Sequence, residues 1–513
     1  MRKQITPAQA SQYRSTWNAS ARAARVARTS TRRANVASVR AYTTLLASKG
    51  SLTAGRLEPA LLSVKATSLV MAGSGPFPSH EGELQIPGEV ATFTYYSGRG
   101  VQFQPFETLK QGMRELNQLE PDVAAARAIA DRLMQLATTQ SGVTVWEYFF
   151  PFGGPSRPWT SSISQALATE FFNRVGTSVP AGEGAVYETV AASVTRSFQL
   201  SPQAGGVAVP NSPGRFYVMY TFAPSQRILN GHLQVLLNLN RYAVASGSVI
   251  ARQVVDSGLA GVVPLLPKFD TGAWSNYQPG QEAELSYHQF QTDQLVKLGD
   301  ETGNATLIEY GARFMEYLET PPVITVASTS WPSIIPGVDG FRDVIRVVYR
   351  TDKRARVTMV LRDVADVEVG RVSTTGGRGA GALVWNGRGG DGAVVPDGDY
   401  RATITATDVV GNRSFGELTS LLTVARDRLP PELERVTVRA AGAAAAVTVV
   451  VKDEGSGWID AEVHIAGRIV ARKRGPRAGT IALNVARRLA AVQRGTLVLR
   501  DSSGNELTEP LTP

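Results

Sequence analysis

From about residue 106 to 320, apolar side chains recur every three or four positions. The segments DVAAARAIADRLMQLATT, SSISQALATEFFNRV, ILNGHLQVLLNLNRYAVAS and NATLIEYGARFMEYLE each place them on one face of a helix. The connections between these helices are rich in Gly, Pro and aromatic residues, as in YFFPFGGPSRPW and PLLPKFDTGAWSNYQPG. They are longer than a turn requires, which marks them as candidate site-forming loops. Successive helical pairs with such loops at one end predict an (α/α) toroid. Ahead of them, residues 84–104 alternate apolar and polar positions around turn glycines and predict a small β-hairpin or sheet.

At Pro321 and Pro322 the pattern changes to short Val-, Ile- and Thr-rich runs broken by glycines. A second pair, Pro430 and Pro431, opens another segment of this kind, and the two end alike in DVVGN (408–412) and DSSGN (501–505). The fold class is therefore multidomain α+β. We expect a basic helical arm over 1–83, a small β-element over 84–105, the toroid over 106–320, and β-sandwiches over 321–427 and 428–513. The first sandwich, with WNGRGGDGAVVPDGDY followed by TATDVVGN, resembles the immunoglobulin-like domain of flagellar hook-capping proteins, and the second matches it more loosely.

Charge changes this picture only at the N-terminus. The net charge is +9, yet residues 1–57 hold eleven Lys or Arg and no acid, and the 42 basic and 44 acidic residues that remain nearly cancel. The basicity thus belongs to the arm, where Arg22, Arg25, Arg28, Arg32 and Arg33 fall near helical spacing, and no nucleic-acid partner is implied. Either the arm packs with its arginines in water, or it meets an anionic glycan or membrane. No cysteine is present, which excludes disulfides, thiolate metal sites and cysteine nucleophiles. The four histidines, His80, His232, His288 and His464, are too scattered for a zinc cluster, and no metal site is expected. Neither a signal peptide nor an apolar run of membrane-spanning length is read from the sequence.

Four segments carry a more specific signal. SRPWTSSISQA (156–166), YTFAPSQRILNG (220–231), FDTGAWSNY (269–277) and YHQFQTDQL (287–295) resemble, in order, four motifs of the D-glucuronyl C5-epimerase catalytic domain. YYSGRGVQFQP (95–105) is similar to the strand that precedes that domain's helices, so the likeness runs over roughly 90–320. The resemblance implies catalytic tyrosines at Tyr287, Tyr220 and Tyr277, with Tyr287 foremost. It implies substrate contacts from Arg157, Trp159, Gln165, Arg227, Asn230, His288 and Asp270. It implies no cofactor, an acidic polysaccharide substrate of heparosan type, and pairing into a homodimer.

The chemistry asks for such groups. The C5 hydrogen of a uronate lies beside a carboxylate, so its removal needs a base on one face, an acid on the other, and stabilisation of the enolate charge. A tyrosine, with an ordinary pKa near 10, needs cationic or hydrogen-bonding neighbours to serve as base, and Arg157 and Arg227 are the expected ones. Two positions depart from the family pattern. Met219 stands where the family has a glutamate before the tyrosine that aligns with Tyr220, and Gln291 stands where it has a second histidine. The first departure removes one of two proton-transfer groups. Two other functions therefore stay open beside epimerisation: β-elimination by a uronate lyase using the same first step, and glycan binding at the cell surface without catalysis.

Bland readings stand beside these. Trp159, Trp274 and Tyr277 serve equally as packing anchors, and His232, on an apolar helix, reads as a core histidine. Asp270 and Thr271 read equally as loop-closing residues ahead of Gly272. The Asp-Gly runs at 387–392 and 395–400 are explained by turn chemistry, with no calcium site claimed. The sandwich tail suggests an extracytoplasmic, bacterial setting.

Overall fold

The computed structural model describes residues 5–154 and 157–512; Ser156, the first residue of one motif, lies outside them. The chain divides into two compact units, 1–317 and 318–513. The division falls just before Pro321–Pro322, where the texture of the sequence changes.

The first unit opens with three helices, α1 (Pro7–Val26), α2 (Ser30–Ser48) and α3 (Ala54–Ala72). An antiparallel sheet follows, in the order β1 (Glu83–Gln85), β2 (Thr92–Tyr96), β3 (Gly100–Phe103). Next come α4 (Pro105–Leu116), α5 (Val123–Leu136), the hairpin β4 (Thr138–Gln140)–β5 (Val143–Val145), α6 (Ser162–Ser178) and α7 (Ala185–Thr195). The hairpin β6 (Ala208–Asn211)–β7 (Gly214–Tyr217) leads to α8 (Leu229–Ser246), α9 (Val249–Val262) and the short α10 (Leu266–Phe269). The hairpin β8 (Asn276–Gln278)–β9 (Gln281–Glu282) precedes α11 (Leu285–Thr302) and α12 (Ala305–Glu319).

The helices stand in two rows. α4, α6, α8 and α11 are neighbours in that order, and α5, α7 and α9 each back the helix before them. α12 backs α11, where Gly299 and Gly311 leave room for Ile308 and Val296 to approach. The inner row explains the weak amphipathicity of α6 and α8. Both are buried on nearly every side, Ser162–Val175 and Leu229–Tyr242 respectively, so their polar positions face other helices rather than water. The stretch Val249–Phe269 is long and apolar enough to cross a membrane by length and composition; its buried side packs on β7 and α8.

The N-terminal helices are part of this body. Val36, Leu62, Ala66 and Met71 share one apolar core with Phe93, Val101, Leu109, Leu133 and Phe171. The boundaries expected at 83/84 and 105/106 therefore have no counterpart in the packing. The Ser and Thr content of α3 has a structural use: β3 is an edge strand, and its free backbone groups bond to side chains of α2 and α3. Gly100 N donates to Asn35 Oδ1 (3.0 Å), Val101 N to Thr67 Oγ1 (2.8 Å) and Phe103 N to Ser63 Oγ (3.0 Å). Arg32 is buried, and its guanidinium donates to the carbonyls of Val70 (2.8 Å), Gly73 (3.2 Å) and Gly75 (2.6 Å), closing the C-terminus of α3. Arg56 pairs with the buried Glu147 through two bonds of 2.6 and 2.7 Å. Arg22, Arg25, Arg28 and Arg33 remain exposed.

The second unit holds two sandwiches, each with its own core. In the first, Val347, Tyr349, Leu383 and Trp385 of a three-stranded sheet meet Val357, Met359, Leu361 and Ile404 of a larger one. In the second, Val447, Val449 and Ile481 face Ile459, Ala461, Val463 and Leu497.

Candidate functional site

An aromatic wall rises where β5 and β7 end and α6 begins. Tyr96, Tyr148, Phe150 and Trp159 are buried together, with Phe152, Tyr220 and Phe222 packed on them. Trp159 stacks on Tyr148 at 4.1 Å, its indole N–H donates to the Phe150 carbonyl (2.8 Å), and it is only 6% exposed. It is thus first an anchor of the wall, with an edge on the neighbouring cavity. Thr160 N donates to Thr221 Oγ1 (2.9 Å) and Thr221 N to the Thr160 carbonyl (3.2 Å), which ties the Tyr220 loop to Trp159.

Three tyrosines singled out from the sequence meet here from separate elements: Tyr220 from the loop after β7, Tyr277 from β8, and Tyr287 from the first turn of α11. The Tyr277 and Tyr287 rings lie 4.9 Å apart, and Tyr287 is 44% exposed. Burial, then the phenols of Tyr220 and Tyr287, pushes Tyr277 above its ordinary range. Tyr220 is pushed up to about 12 by burial, then by Tyr287, Tyr96 and Glu81. Buried phenols keep their protons, so at neutral pH these two groups are donors.

The cationic neighbours expected of these phenols lie elsewhere. Arg227 folds back onto the carbonyls of Pro224 (2.9 Å) and Gln226 (3.2 Å), lies over the Phe216 ring at 5.2 Å, and is lowered by burial. Arg157 is exposed, and its backbone carbonyl accepts from Tyr42 Oη (3.3 Å). It lines a cavity of about 260 Å³ together with Arg56, Glu147, Trp159, Thr160 and Phe222. Asn230, in the first turn of α8, is buried, and among the described residues neither its Oδ1 nor the Nε of Arg227 has a hydrogen-bond partner.

Three expected substrate contacts are occupied by the fold. Gln165 is fully buried, its amide receiving Trp146 N (3.4 Å) and donating to the Trp146 carbonyl (3.2 Å). His288 is fully buried and stacked on Trp274 at 3.7 Å. Its Nδ1 lies 2.6 Å from Ser275 Oγ and its Nε2 2.8 Å from the Phe314 carbonyl. Asp270 accepts from Tyr317 Oη (2.8 Å) and Gly272 N (2.8 Å) and pairs with Arg313 (3.1 Å), so it closes its loop onto α12. In all three the polar groups expected to meet substrate are engaged within the fold. His232 takes Tyr217 N on Nδ1 (3.0 Å), lies 3.1 Å from the Gly258 carbonyl through Nε2, and is lowered to about 4 by burial, as a core histidine should be.

The sequence reading missed the site's other rim. His80 and Glu81 precede β1 and are pinned to the β2–β3 hairpin: Glu81 N donates to the Tyr95 carbonyl (2.8 Å) and Ser97 N to His80 Nδ1 (3.1 Å). Glu81 takes a left-handed φ of 60°, a conformation that a non-glycine side chain adopts at a cost. Its charge acts on Tyr96, itself raised to about 12 chiefly by burial, and on Tyr220. Arg99 lies 5.6 Å over the Phe152 ring. Met219 packs its Sδ toward Gly231 on α8, 3.6 Å from where a Cβ there would sit. The tyrosine-rich YYSGRG run marked this hairpin; nothing in its own segment marked Glu81.

Comparison with known proteins adds the following. Residues 140–316 match the family model described as D-glucuronyl C5-epimerase C-terminus. An uncharacterized protein of Methanocaldococcus jannaschii is 24% identical over 181 residues, 34% of this chain and 57% of that relative, so the match spans little more than half of its length. Among solved structures, a D-mannose isomerase aligns over 41% of this chain and 56% of its own at 12% identity and a TM-score of 0.30. FlgD from Xanthomonas campestris aligns over 31% and 90% at 16% identity and a TM-score of 0.15. Scores of that size leave the fold to be read from the chain itself. The family match supports a function of carbohydrate epimerase type, carried by the region that holds the three tyrosines.

Proposed function

We propose that this chain epimerises glucuronate residues of an acidic polysaccharide at C5, with Glu81 standing in for the glutamate that Met219 replaces. The observation that carries the reading is the convergence of Tyr220, Tyr277 and Tyr287, whose phenols act on one another beside the exposed Tyr287 ring, with the Glu81 carboxylate acting on Tyr220. C5 inversion needs two unlike groups, one that takes a proton and one that gives it. Glu81 serves as the carboxylate base, and Tyr287, the accessible phenol, delivers the proton from the opposite face. Tyr220 and Tyr277, kept protonated by burial, donate hydrogen bonds to the developing enolate. Arg157 at the cavity and the unpartnered Oδ1 side of Asn230 belong to substrate positioning. The two rows of helices support an (α/α) toroid, and the paired sandwiches support immunoglobulin-like modules of a bacterial protein working outside the cytoplasm.

The test is incubation with a heparosan-like glucuronate polymer in D₂O, following C5 deuteration by NMR and near-ultraviolet absorbance together. We expect deuteration without absorbance, reduced roughly 100-fold or more in both Tyr287→Phe and Glu81→Gln. Absorbance from an unsaturated product would replace epimerisation by β-elimination. Polymer binding with neither signal would make the cleft a glycan-binding site.

A further inference from the structure

The two sandwiches share a corner in which one residue differs in sign. In the first, the buried Asp408 receives the backbone N–H groups of Val410 (3.0 Å), Gly411 (2.8 Å) and Asn412 (2.9 Å) on one oxygen. Asn412 Nδ2 bridges its other oxygen (3.0 Å) to the carbonyl of Leu318 (2.8 Å), three residues before the proline pair. Into this corner Lys353, from the loop between strands Ile345–Thr351 and Ala355–Arg362, delivers its ammonium. It lies 3.0 Å from Asp408 Oδ2, both side chains at most 2% exposed, and also donates to the Thr320 carbonyl.

The second sandwich repeats the frame. Asp501 receives Asn505 N (2.8 Å), and Asn505 Nδ2 bridges Asp501 Oδ2 (2.8 Å) to the carbonyl of Asp427 (3.3 Å), again three residues before a proline pair. The loop equivalent to that of Lys353, between Ala444–Lys452 and Trp458–Ile465, supplies Asp453 instead. Where the first sandwich seats an ammonium, carboxylate oxygens of Asp427, Asp453 and Asp501 come within 4.8 Å of one another. Asp453 and Asp501 are 6% and 1% exposed, and Asp427, part-exposed as a residue, has a buried Oδ2 with no hydrogen-bond partner among the described residues. The nearby Arg477 spends an N–H on the Asp453 carbonyl (3.2 Å). The electrostatics follow the sign change. Burial raises Asp408, but Lys353 and the surrounding donors outweigh it and leave that carboxyl below its ordinary value. Burial together with their mutual charges leaves Asp427 and Asp453 above theirs.

The geometry points to a divalent cation of calcium type held by Asp427, Asp453 and Asp501, in the place that Lys353 fills in the first sandwich. Hard oxygen donors without histidine or cysteine select calcium over zinc, and carbonyls and water complete its six to eight ligands.

The test uses the full chain, stripped with a chelator and returned to Ca²⁺ or Mg²⁺, with heat uptake measured by titration calorimetry and unfolding of the β-rich unit followed by circular dichroism. We expect millimolar Ca²⁺ to raise that unit's Tm by roughly 5–10 °C. Asp427→Asn should lose most of the shift. Asp453→Lys, which installs the first sandwich's cation, should be stable in chelator and indifferent to Ca²⁺. No binding heat and no shift, an equal shift in Asp427→Asn, or a larger response to Mg²⁺ would each overturn the assignment.

Discussion

Burial holds Tyr42, Tyr96 and Tyr220 near pKa 12, two units above a phenol in water. Between pH 10 and 12 the unfolded chain therefore releases protons that the folded chain retains, and folding loses free energy as pH rises through that window. Below pH 10 the contribution is intact. For Tyr96 the loss approaches about 2 kcal/mol by pH 12. An ultraviolet titration should show a group of tyrosines ionising only near pH 12, or together with unfolding, while Tyr220→Phe removes one from that group. The same burial explains what residue-level reading could reach. Motif order singled out Tyr220, Tyr277 and Tyr287, but it marked Gln165, His288 and Asp270 equally, because a side chain open to a ligand and one bonded within the fold look alike in a motif. Depth is set by contacts from elsewhere: Trp146 for Gln165, Phe314 for His288, Tyr317 and Arg313 for Asp270.

At the scale of elements, the junction of α3 with β3 is a tight fit. Gly100 has a φ of +77°, and a Cβ there would stand 2.7 Å from Thr67 Oγ1 and 3.1 Å from Val39. Gly100→Ala should cost about 2–4 kcal/mol in denaturant unfolding, from left-handed strain and overpacking together. A cost below about 0.5 kcal/mol would mean that the helix gives way freely. Helical periodicity was legible throughout this unit, and so were the sandwich strands. What periodicity could not convey was the attachment of α1–α3. Their Ala, Ser, Thr and Arg composition reads as a solvated arm, yet Arg32, Asn35, Ser63 and Thr67 bond to backbone groups of α3 and β3. A polar residue that serves a backbone is indistinguishable in sequence from one that serves water.

Over the whole molecule, each unit has apolar cores of its own, one spanning α1 to α9 in the first and one inside each sandwich of the second. Calorimetry of the full chain should resolve at least two transitions, and a fragment covering 318–513 should reproduce one of them with β-type circular dichroism. A single transition absent from the fragment would contradict that independence. The division falls just before the first proline pair, where the texture of the sequence changes. The carboxylate corner of the second sandwich was beyond sequence reading, since Asp427, Asp453 and Asp501 are brought together only by the crossing of its strands.

The edge of β3 has a meaning for synthesis as well. A ribosome delivers α1, α2 and α3 before the hairpin that they close, so Asn35, Ser63 and Thr67 are already outside the exit tunnel when Gly100–Phe103 arrive. The strand is never offered bare to a neighbouring nascent chain, and moving these helices to the far end of the gene would leave that edge open for the whole time taken to translate the rest.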